Sequence, residues 1–296
     1  MRQITVVAIC LLAATSGFVV AEQPSGKVVE AFYQEVDIQC KPQFRIQGLP
    51  VEQNTHYRIR SYFRLYEPDA QGVYVATQEI REAELLKADP LSQSIFPAAL
   101  AKLEGKTMTY TLDSFGAVMK FSGYENDPNP RDIKAPGLQG ALITNVIDED
   151  GWQELARLTL FRPPGDERRG TTFQFRTEHD WASLGRWYGQ TDVRRGRSRG
   201  NLRQYFFQHK LQYNKPAPGK GDSPLVINDA EFDLYRADGE IHYDTKSRRV
   251  AAVREWFAVR GTVKTELLGS EVDVGLMEEQ IMTISVKADK FEIERP

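Results

Sequence analysis

The chain of 296 residues is 41% hydrophobic, 27% charged and 10% aromatic, with 22 Gly, 15 Pro and two Cys. These fractions exclude collagen-like, low-complexity and wholly disordered classes, and the length accommodates one large β domain or two modest ones that fold without covalent staples. A net charge of −3 points neither to nucleic acid nor to an anionic membrane as a partner.

Met1-Arg2-Gln3 is a short cationic start, and Ile4 to Val20 is an uncharged, mostly apolar run that closes on the small-residue pattern Val19-Val20-Ala21 before Glu22. Residues 1–21 read as a signal peptide, with an uncleaved anchor helix as the alternative. Acylation of Cys10 is disfavoured because bulky Ile9 precedes it. Cleavage leaves Cys40 alone, so no internal disulfide is expected, and the sequence carries no Asn-x-Ser/Thr sequon. Together these features point to a bacterial exported protein, periplasmic or extracellular, with no transmembrane segment once the leader is removed.

Apolar residues at every second position mark strands with one buried face. Phe32, Val36, Ile38 and Cys40 share a parity, opposed by Tyr33, Glu35, Asp37 and Gln39. Tyr57, Ile59, Phe63 and Leu65 oppose His56, Arg58, Arg60 and Arg64. Leu91 to Leu103 offers Leu91, Ile95, Leu100 and Leu103 at helical spacing, and Gly105 supplies a C-terminal cap, so a helix is expected near 91–104. Met108, Tyr110 and Leu112 alternate with threonines. Asp113-Ser114-Phe115-Gly116 and Arg236-Ala237-Asp238-Gly239 both read as hairpin loops with glycine at positive φ. Trp152 to Leu160 fits helix or strand equally. Tyr205 to Tyr213 alternates like a strand, and near the C-terminus Val272, Val274, Leu276, Met282, Ile284 and Val286 hold one parity, broken by Glu278 and Gln280 as at a bulge or rim.

Residues 126–140 contain Pro128, Pro130, Pro136, Gly137 and Gly140, and read as a linker or long loop. It divides a β-rich N-terminal half, residues 22–125, from an antiparallel C-terminal half, residues 141–296. The fold class is therefore mainly β, with one or two short helices. One strand, Val250 to Val263, is apolar on both parities: Val250, Ala252, Trp256 and Ala258 on one, Ala251, Val253, Phe257, Val259 and Val263 on the other. Either it is a central strand covered on both sides, or its Val250, Ala252, Trp256 and Ala258 face lines an apolar ligand cavity.

The run Leu103-Glu104-Gly105-Lys106, then Tyr110-Thr111-Leu112-Asp113 and Gly116 to Gly123, resembles the turn-and-strand signature of uncharacterised bacterial exported domains. Gly239-Glu240-Ile241-His242-Tyr243-Asp244, followed by Arg248-Arg249-Val250, is similar to their C-terminal halves. These domains resemble the curved half-barrel of bacterial lipoprotein-carrier proteins, whose concave side accepts acyl chains. The resemblance spans about half the chain and implies a curved antiparallel sheet of half-barrel type rather than an activity. One departure is Phe173, which follows the Pro163-Pro164-Gly165 to Gly170-Thr171-Thr172 loop where related domains carry Trp.

Catalytic signals are sparse. Gly196-Arg197-Ser198-Arg199-Gly200 matches the hydrolase nucleophile-elbow pattern, but no apolar strand precedes it and a strand rather than a helix follows, so a basic loop is the preferred reading. His56, His209 and His242 fall within strand patterns as partly exposed sheet positions, and His179-Asp180 point to opposite faces. No metal-ligand spacing and no cofactor motif is present. Cys40 lies on an apolar parity as a buried thiol. Asp148-Glu149-Asp150-Gly151 lacks calcium-loop spacing, and Glu278-Glu279 reads as an edge charge pair. Two arginine groups remain as sites for an anionic headgroup, a polysaccharide or a protein: Arg58, Arg60 and Arg64 with Tyr62 on one strand, and Arg194, Arg195, Arg197 and Arg199 ahead of Arg203.

The expectation is a non-enzymatic exported protein that holds a lipid-like or amphiphilic ligand in the bend of its sheet. A cell-envelope or extracellular scaffold module that binds protein or glycan stands second, and a serine hydrolase using Ser198 third. Nucleic acid is excluded as a partner by export and by the acidic balance.

Overall fold

The computed structural model describes residues 26–46, 48–114, 116–123, 147, 149–165, 170–181, 184–215, 227–267 and 270–291. The expected signal peptide, 1–21, and the expected linker, 126–140, lie outside the described residues. The elements in chain order are β1 (Val28–Ile46), β2 (Leu49–Glu52), β3 (Thr55–Tyr66), β4 (Tyr74–Ala88), α1 (Pro90–Ala101), β5 (Thr107–Leu112), β6 (Val118–Ser122), α2 (Glu149–Thr159), β7 (Thr172–Asp180), β8 (Arg186–Arg199), β9 (Leu202–Asn214), β10 (Ile227–Asp244), β11 (Arg249–Leu267) and β12 (Ser270–Lys287). The fold is mainly β, as the alternation predicts.

All described strands join one open sheet in the order β6-β5-β4-β3-β1-β12-β11-β10-β9-β8-β7, with β2 paired to the end of β1. Every pairing is antiparallel. Leaving β2 aside, successive strands are neighbours within two meanders, β1 to β6 and β7 to β12; β6 and β7 lie at opposite edges, and β1 and β12 pair from Tyr33–Lys287 to Ile46–Val274 to join the meanders. The four longest strands hold 18 or 19 residues, a reach of about 60 Å at roughly 3.4 Å per residue.

The period-two pattern decides which side is inside. Phe32, Val36, Ile38, Cys40, Tyr57, Ile59, Phe63, Leu65, Met108, Tyr110, Leu112 and the even-numbered apolar residues of β12 are all buried on a single face. Along it lie two apolar clusters. The larger packs β1, β3, β4, β5, β9, β10 and β12 against both helices. The smaller occupies the other end of the long strands and gathers Phe44, Trp187, Phe232, Val259, Val263, Val272, Val274 and Leu276. Trp181, just past β7, folds over that end, its ring 5.5 Å from Phe232 on β10 and 6.2 Å from Phe257 on β11.

The segment Trp152 to Leu160 resolves as helix. Glu149 and Asp150 occupy the first turn of α2 and Arg157 the last, which suits the helix dipole. Trp152, Leu155, Ala156 and Thr159 make an i, i+3, i+4, i+7 face, and Glu154 and Leu158 are buried beside it. α2 touches β6, β7 and β11. Since β6 and β7 end the sheet on opposite sides, the sheet curls until both edges reach one helix.

In α1, Phe96, Ala99 and Leu100 are buried, with Leu103 just beyond, and Gly105 takes φ +79° after the helix. The Asp113–Gly116 turn also forms as expected: Gly116 has φ +84°, donates to the Asp113 carbonyl at 3.0 Å, and its missing side chain admits the Leu160 carbonyl oxygen. The second expected hairpin loop, Arg236 to Gly239, is instead continuous strand within β10. A register shift between Leu234 and Arg236 absorbs the irregularity, and Gly239 makes room for the Phe207 ring, whose Cζ lies 2.3 Å from where a Cβ would sit. The turn comes later, where the Asp244 carboxylate accepts from the Lys246 amide and the Ser247 hydroxyl, both at 2.9 Å. Glu278 and Gln280 correspondingly mark no bulge, since β12 keeps an unbroken register with both neighbours.

Removing the largest α2 anchor tests this packing. Trp152→Ala is expected to lower unfolding free energy by about 3–5 kcal/mol in urea denaturation. Met119→Ser, on the exposed edge strand β6, is expected to change it by less than about 0.5 kcal/mol.

Candidate functional site

The apolar residues expected to line a cavity are divided by the structure. The β10–β11 register steps from His242–Ala252 to Tyr243–Val250, so Ala251 is an extra residue. This shift turns Val250 into the inner core, 0% exposed, while Ala252, Trp256 and Ala258 face outward. The set of four therefore lines no common wall. Trp256 is covered instead by guanidinium groups: the Arg236 and Arg254 Cζ atoms each stand 4.5 Å from its ring centroid. The apolar outer parity of β11 is thus roofed by arginines, and the inner parity comprises Val253, Glu255, Phe257, Val259 and Val263.

Arg58, Arg60 and Arg64 do share the outer face of β3 with Tyr62, but carboxylates from both neighbouring strands meet them. Arg60 donates to Glu35 of β1 at 2.7 Å and to Glu82 of β4 at 2.9 Å. Arg58 reaches Asp37 at 3.3 Å, and Asp37 also holds His56 at 2.5 Å. Arg64 lies 3.5 Å from Glu79 and stacks over Tyr62 at 4.8 Å. Burial works against the Arg60 charge, and hydrogen bonds and charge from Glu35 and Glu82 outweigh it. This face is a cross-strand ionic lattice rather than an open anion receptor. Arg194, Arg195, Arg197 and Arg199 sit near the β8–β9 hairpin, where Arg194, Arg197 and Arg199 are exposed. Five strands separate this tip from β3, so the two arginine groups do not converge. Ser198 is exposed on the same hairpin, paired with Arg203 and followed by Gly200 at φ +60°. It does not stand on a strand-to-helix elbow.

The polar groups that do converge are on the inner face. Gln34, Ser61 and Gln78 interrupt the apolar parity and are fully buried. The Gln78 amide donates to the Gln34 carbonyl oxygen at 3.2 Å and to the Ser61 hydroxyl at 3.0 Å, while Tyr110 donates to Gln78 Oε1 at 2.6 Å. Gln34 in turn donates to Thr159 Oγ1 at 2.5 Å, tying the end of α2 to β1. Burial pushes the Tyr110 hydroxyl well above its ordinary range, so it remains a donor.

A second group lies under the middle of α2. His209 Nε2 is 2.8 Å from Glu255 Oε1, and its Nδ1 is 2.7 Å from Thr191 Oγ1, which lies 2.5 Å from Thr177 Oγ1. Glu154 descends from α2 with Oε2 accepting from Arg157 at 2.9 Å and with Oε1 buried and unpaired. His209 is thus fully part of the interior, where the alternation pattern suggested a partly exposed position. β9 and β11 flank β10 and stand about 9–10 Å apart at two strand spacings. His209 and Glu255 meet over it because β10 offers only Ala237 and Gly239 there, opposite Phe257 and Glu255.

Burial alone would push the Glu154 carboxyl up, but the charges of Arg157, His209 and His179 prevail and hold it below the ordinary carboxylate value. Burial pulls His209 down, yet its hydrogen bond to Glu255 and the charges of Glu255 and Glu154 lift it above the ordinary imidazole value. His209 thus lies beside two carboxylates that favour its charged form, with Arg157 next to Glu154. Elsewhere on the inner face, Cys40 donates to Gln280 Oε1 at 3.6 Å, and burial together with the Glu278 charge pushes its thiol well above the ordinary range. The sequence signal for these groups is a polar residue at an apolar parity: Gln34, Gln78, His209, Glu255, Glu278.

No family model matches the chain, and no curated protein matches it. Among solved structures, one of lipovitellin, concerned with its lipid–protein interactions, aligns over 90% of this chain and 26% of its own at 9% identity and TM-score 0.38. This chain therefore spans about a quarter of that one. A DUF1329 family protein from Desulfovibrio piger ATCC 29098 aligns over 88% of each chain at 8% identity and TM-score 0.15. Likeness at this level assigns neither ligand nor activity.

A buried charge pair is costly to break and cheap to replace whole. His209→Leu is expected to lower unfolding free energy by about 3–5 kcal/mol, because Glu255 is then buried without its partner and Arg157 alone faces the two carboxylates. Adding Glu255→Leu to that variant is expected to restore most of the loss, as read by urea denaturation of both proteins.

Proposed function

We propose that the protein is a non-enzymatic, exported binding protein that takes up a lipid-like or amphiphilic ligand on the concave face of its sheet. The observation that carries this reading is the mismatch between the apolar inner face and its cover. Strands of up to 19 residues present apolar side chains along their length, and the helices packed against them hold only 12 and 11 residues. Burial of this face depends on curling the sheet about α2, so the hollow expected from the sequence is occupied by Trp152, Leu155, Ala156 and Leu158. An acyl chain is chemically equivalent to those side chains and gains a similar free energy, roughly 0.8 kcal/mol per buried methylene. α2 is the segment that such a ligand replaces.

Two features favour an amphiphile over a plain hydrocarbon. An aromatic wall of Phe161, Phe173, Tyr205 and Tyr243, with ring centroids 5.3–6.5 Å from Phe161, lies beside the end of α2. The buried Trp152 and Trp187 indole N–H groups have no hydrogen-bond partner among the described residues, and each can donate to a headgroup oxygen. Export rests on the Met1–Ala21 leader pattern. Among the described residues no helix is long and apolar enough to cross a membrane. The scaffold alternative has less support, since the Arg58, Arg60 and Arg64 face is already paired with carboxylates.

The test is to purify the full chain from a bacterial host under native conditions, extract it with organic solvent, and titrate it with a fluorescent fatty acid. Co-purifying amphiphile by mass spectrometry, or saturable uptake of the probe, is the expected result. A lipid-free extract combined with no uptake overturns the proposal.

A further inference from the structure

We propose that Glu154, His209 and Glu255 form a divalent-metal site of the zinc class that fastens α2 to the sheet. The three residues come from α2, β9 and β11, and one ligand atom of each lies within 4.8 Å of the other two. All three side chains are withdrawn from solvent, with exposures of 7%, 2% and 10%. One imidazole nitrogen and two carboxylates make a donor set suited to zinc, with a fourth position left for water or an anion.

Glu154 Oε1 is buried with no hydrogen-bond partner, although its sister oxygen is held by Arg157 at 2.9 Å. An unmet anionic oxygen in the interior is costly, and an ion bound between it, His209 and Glu255 removes that cost. Outer partners are also in place. Thr191 Oγ1, 2.7 Å from His209 Nδ1, can accept the Nδ1 proton and leave Nε2 free as the ligand, with Thr177 holding Thr191 in turn. Arg157 orients Glu154 in the same way.

Zinc bonds of about 2.0–2.2 Å separate tetrahedral ligand atoms by about 3.4 Å. The Nε2 to Glu255 Oε1 gap of 2.8 Å therefore widens slightly on loading. On loading, a proton carried by Nε2 leaves to solvent and the ion takes its place: from the charged form, protonated His209 and Zn²⁺ give zinc-bound neutral His209 and H⁺. The two carboxylates offset the charge of the ion. The site belongs to the state in which α2 is seated: an amphiphile that replaces α2 withdraws Glu154 from His209 and Glu255, so the site is tested on protein free of added amphiphile and can fail while that reading stands, and the reverse.

The experiment uses the full chain, stripped with EDTA and dialysed. Zinc is added and measured by elemental analysis and melting temperature, and Co²⁺ is added separately as an absorbance probe. Expected are close to one equivalent of zinc, a rise in melting temperature, and visible cobalt bands of a low-coordinate site. Thr191→Val, which leaves all three ligands in place, is expected to weaken binding about 10–100-fold. Glu154→Gln is expected to abolish the cobalt bands, whereas Glu240→Gln, at the surface beside His242, is expected to leave them unchanged. No zinc uptake by the wild-type chain, or equal uptake by Thr191→Val, Glu154→Gln and wild type, overturns the proposal. Should Glu154→Gln fail to fold, Thr191→Val and the wild-type cobalt spectrum decide alone.

Discussion

The antiparallel register between β1 and β12, from Tyr33–Lys287 to Ile46–Val274, is the contact through which two meanders become one sheet. The first meander runs outward from β1 to the edge at β6, the second from β12 to the edge at β7. Neither could bury its apolar face alone, because an open sheet with one greasy side needs a second layer. Joined at their centre, they form a surface large enough to curl, and α2 becomes the body about which both edges close. Val36 opposite Ile284, and Ile38 opposite Met282, set this junction directly under the larger core.

The interior so formed is not uniformly apolar. An amide and hydroxyl network from Gln34 to Tyr110 holds one end of α2, and the Glu154, His209 and Glu255 group lies under its middle. Such networks add less net stability than apolar packing of the same volume, but they are unforgiving of misalignment. A helix fixed by polar contacts at defined points has one seating rather than many.

How much was legible follows from which distances the sequence encodes. The buried parity of β1, β3, β5 and β12 is written in local alternation, because side-chain direction on a strand has a period of two regardless of partner. The Asp113–Gly116 turn is legible for the same local reason. Where the period slips, the reading slips with it: the extra residue Ala251 moves Val250 to the opposite face from Trp256, and a shift beside Leu234 lets Arg236 to Gly239 run on as strand. Gln34, Gln78 and Glu255 are not singled out by local alternation, and His209 reads as a partly exposed position, because one polar residue on an inner parity looks locally like a rim residue. Their convergence is hidden as well, since it depends on β10 presenting Ala237 and Gly239 between β9 and β11 and on a helix whose sequence fitted either structure. The pairing of Arg58, Arg60 and Arg64 with Glu35, Asp37, Glu79 and Glu82 likewise depends on cross-strand register.

These elements describe a curved sheet whose concave face is filled by one of its own helices, the helix that the proposed amphiphile would replace. Hydrogen exchange of the α2 backbone, read with and without a saturating long-chain fatty acid, tests that exchangeability most directly. Faster exchange in α2 by about tenfold or more on loading, with the β1 and β12 amides still protected, is the predicted result. Equal protection of α2 in the empty and loaded protein would contradict it.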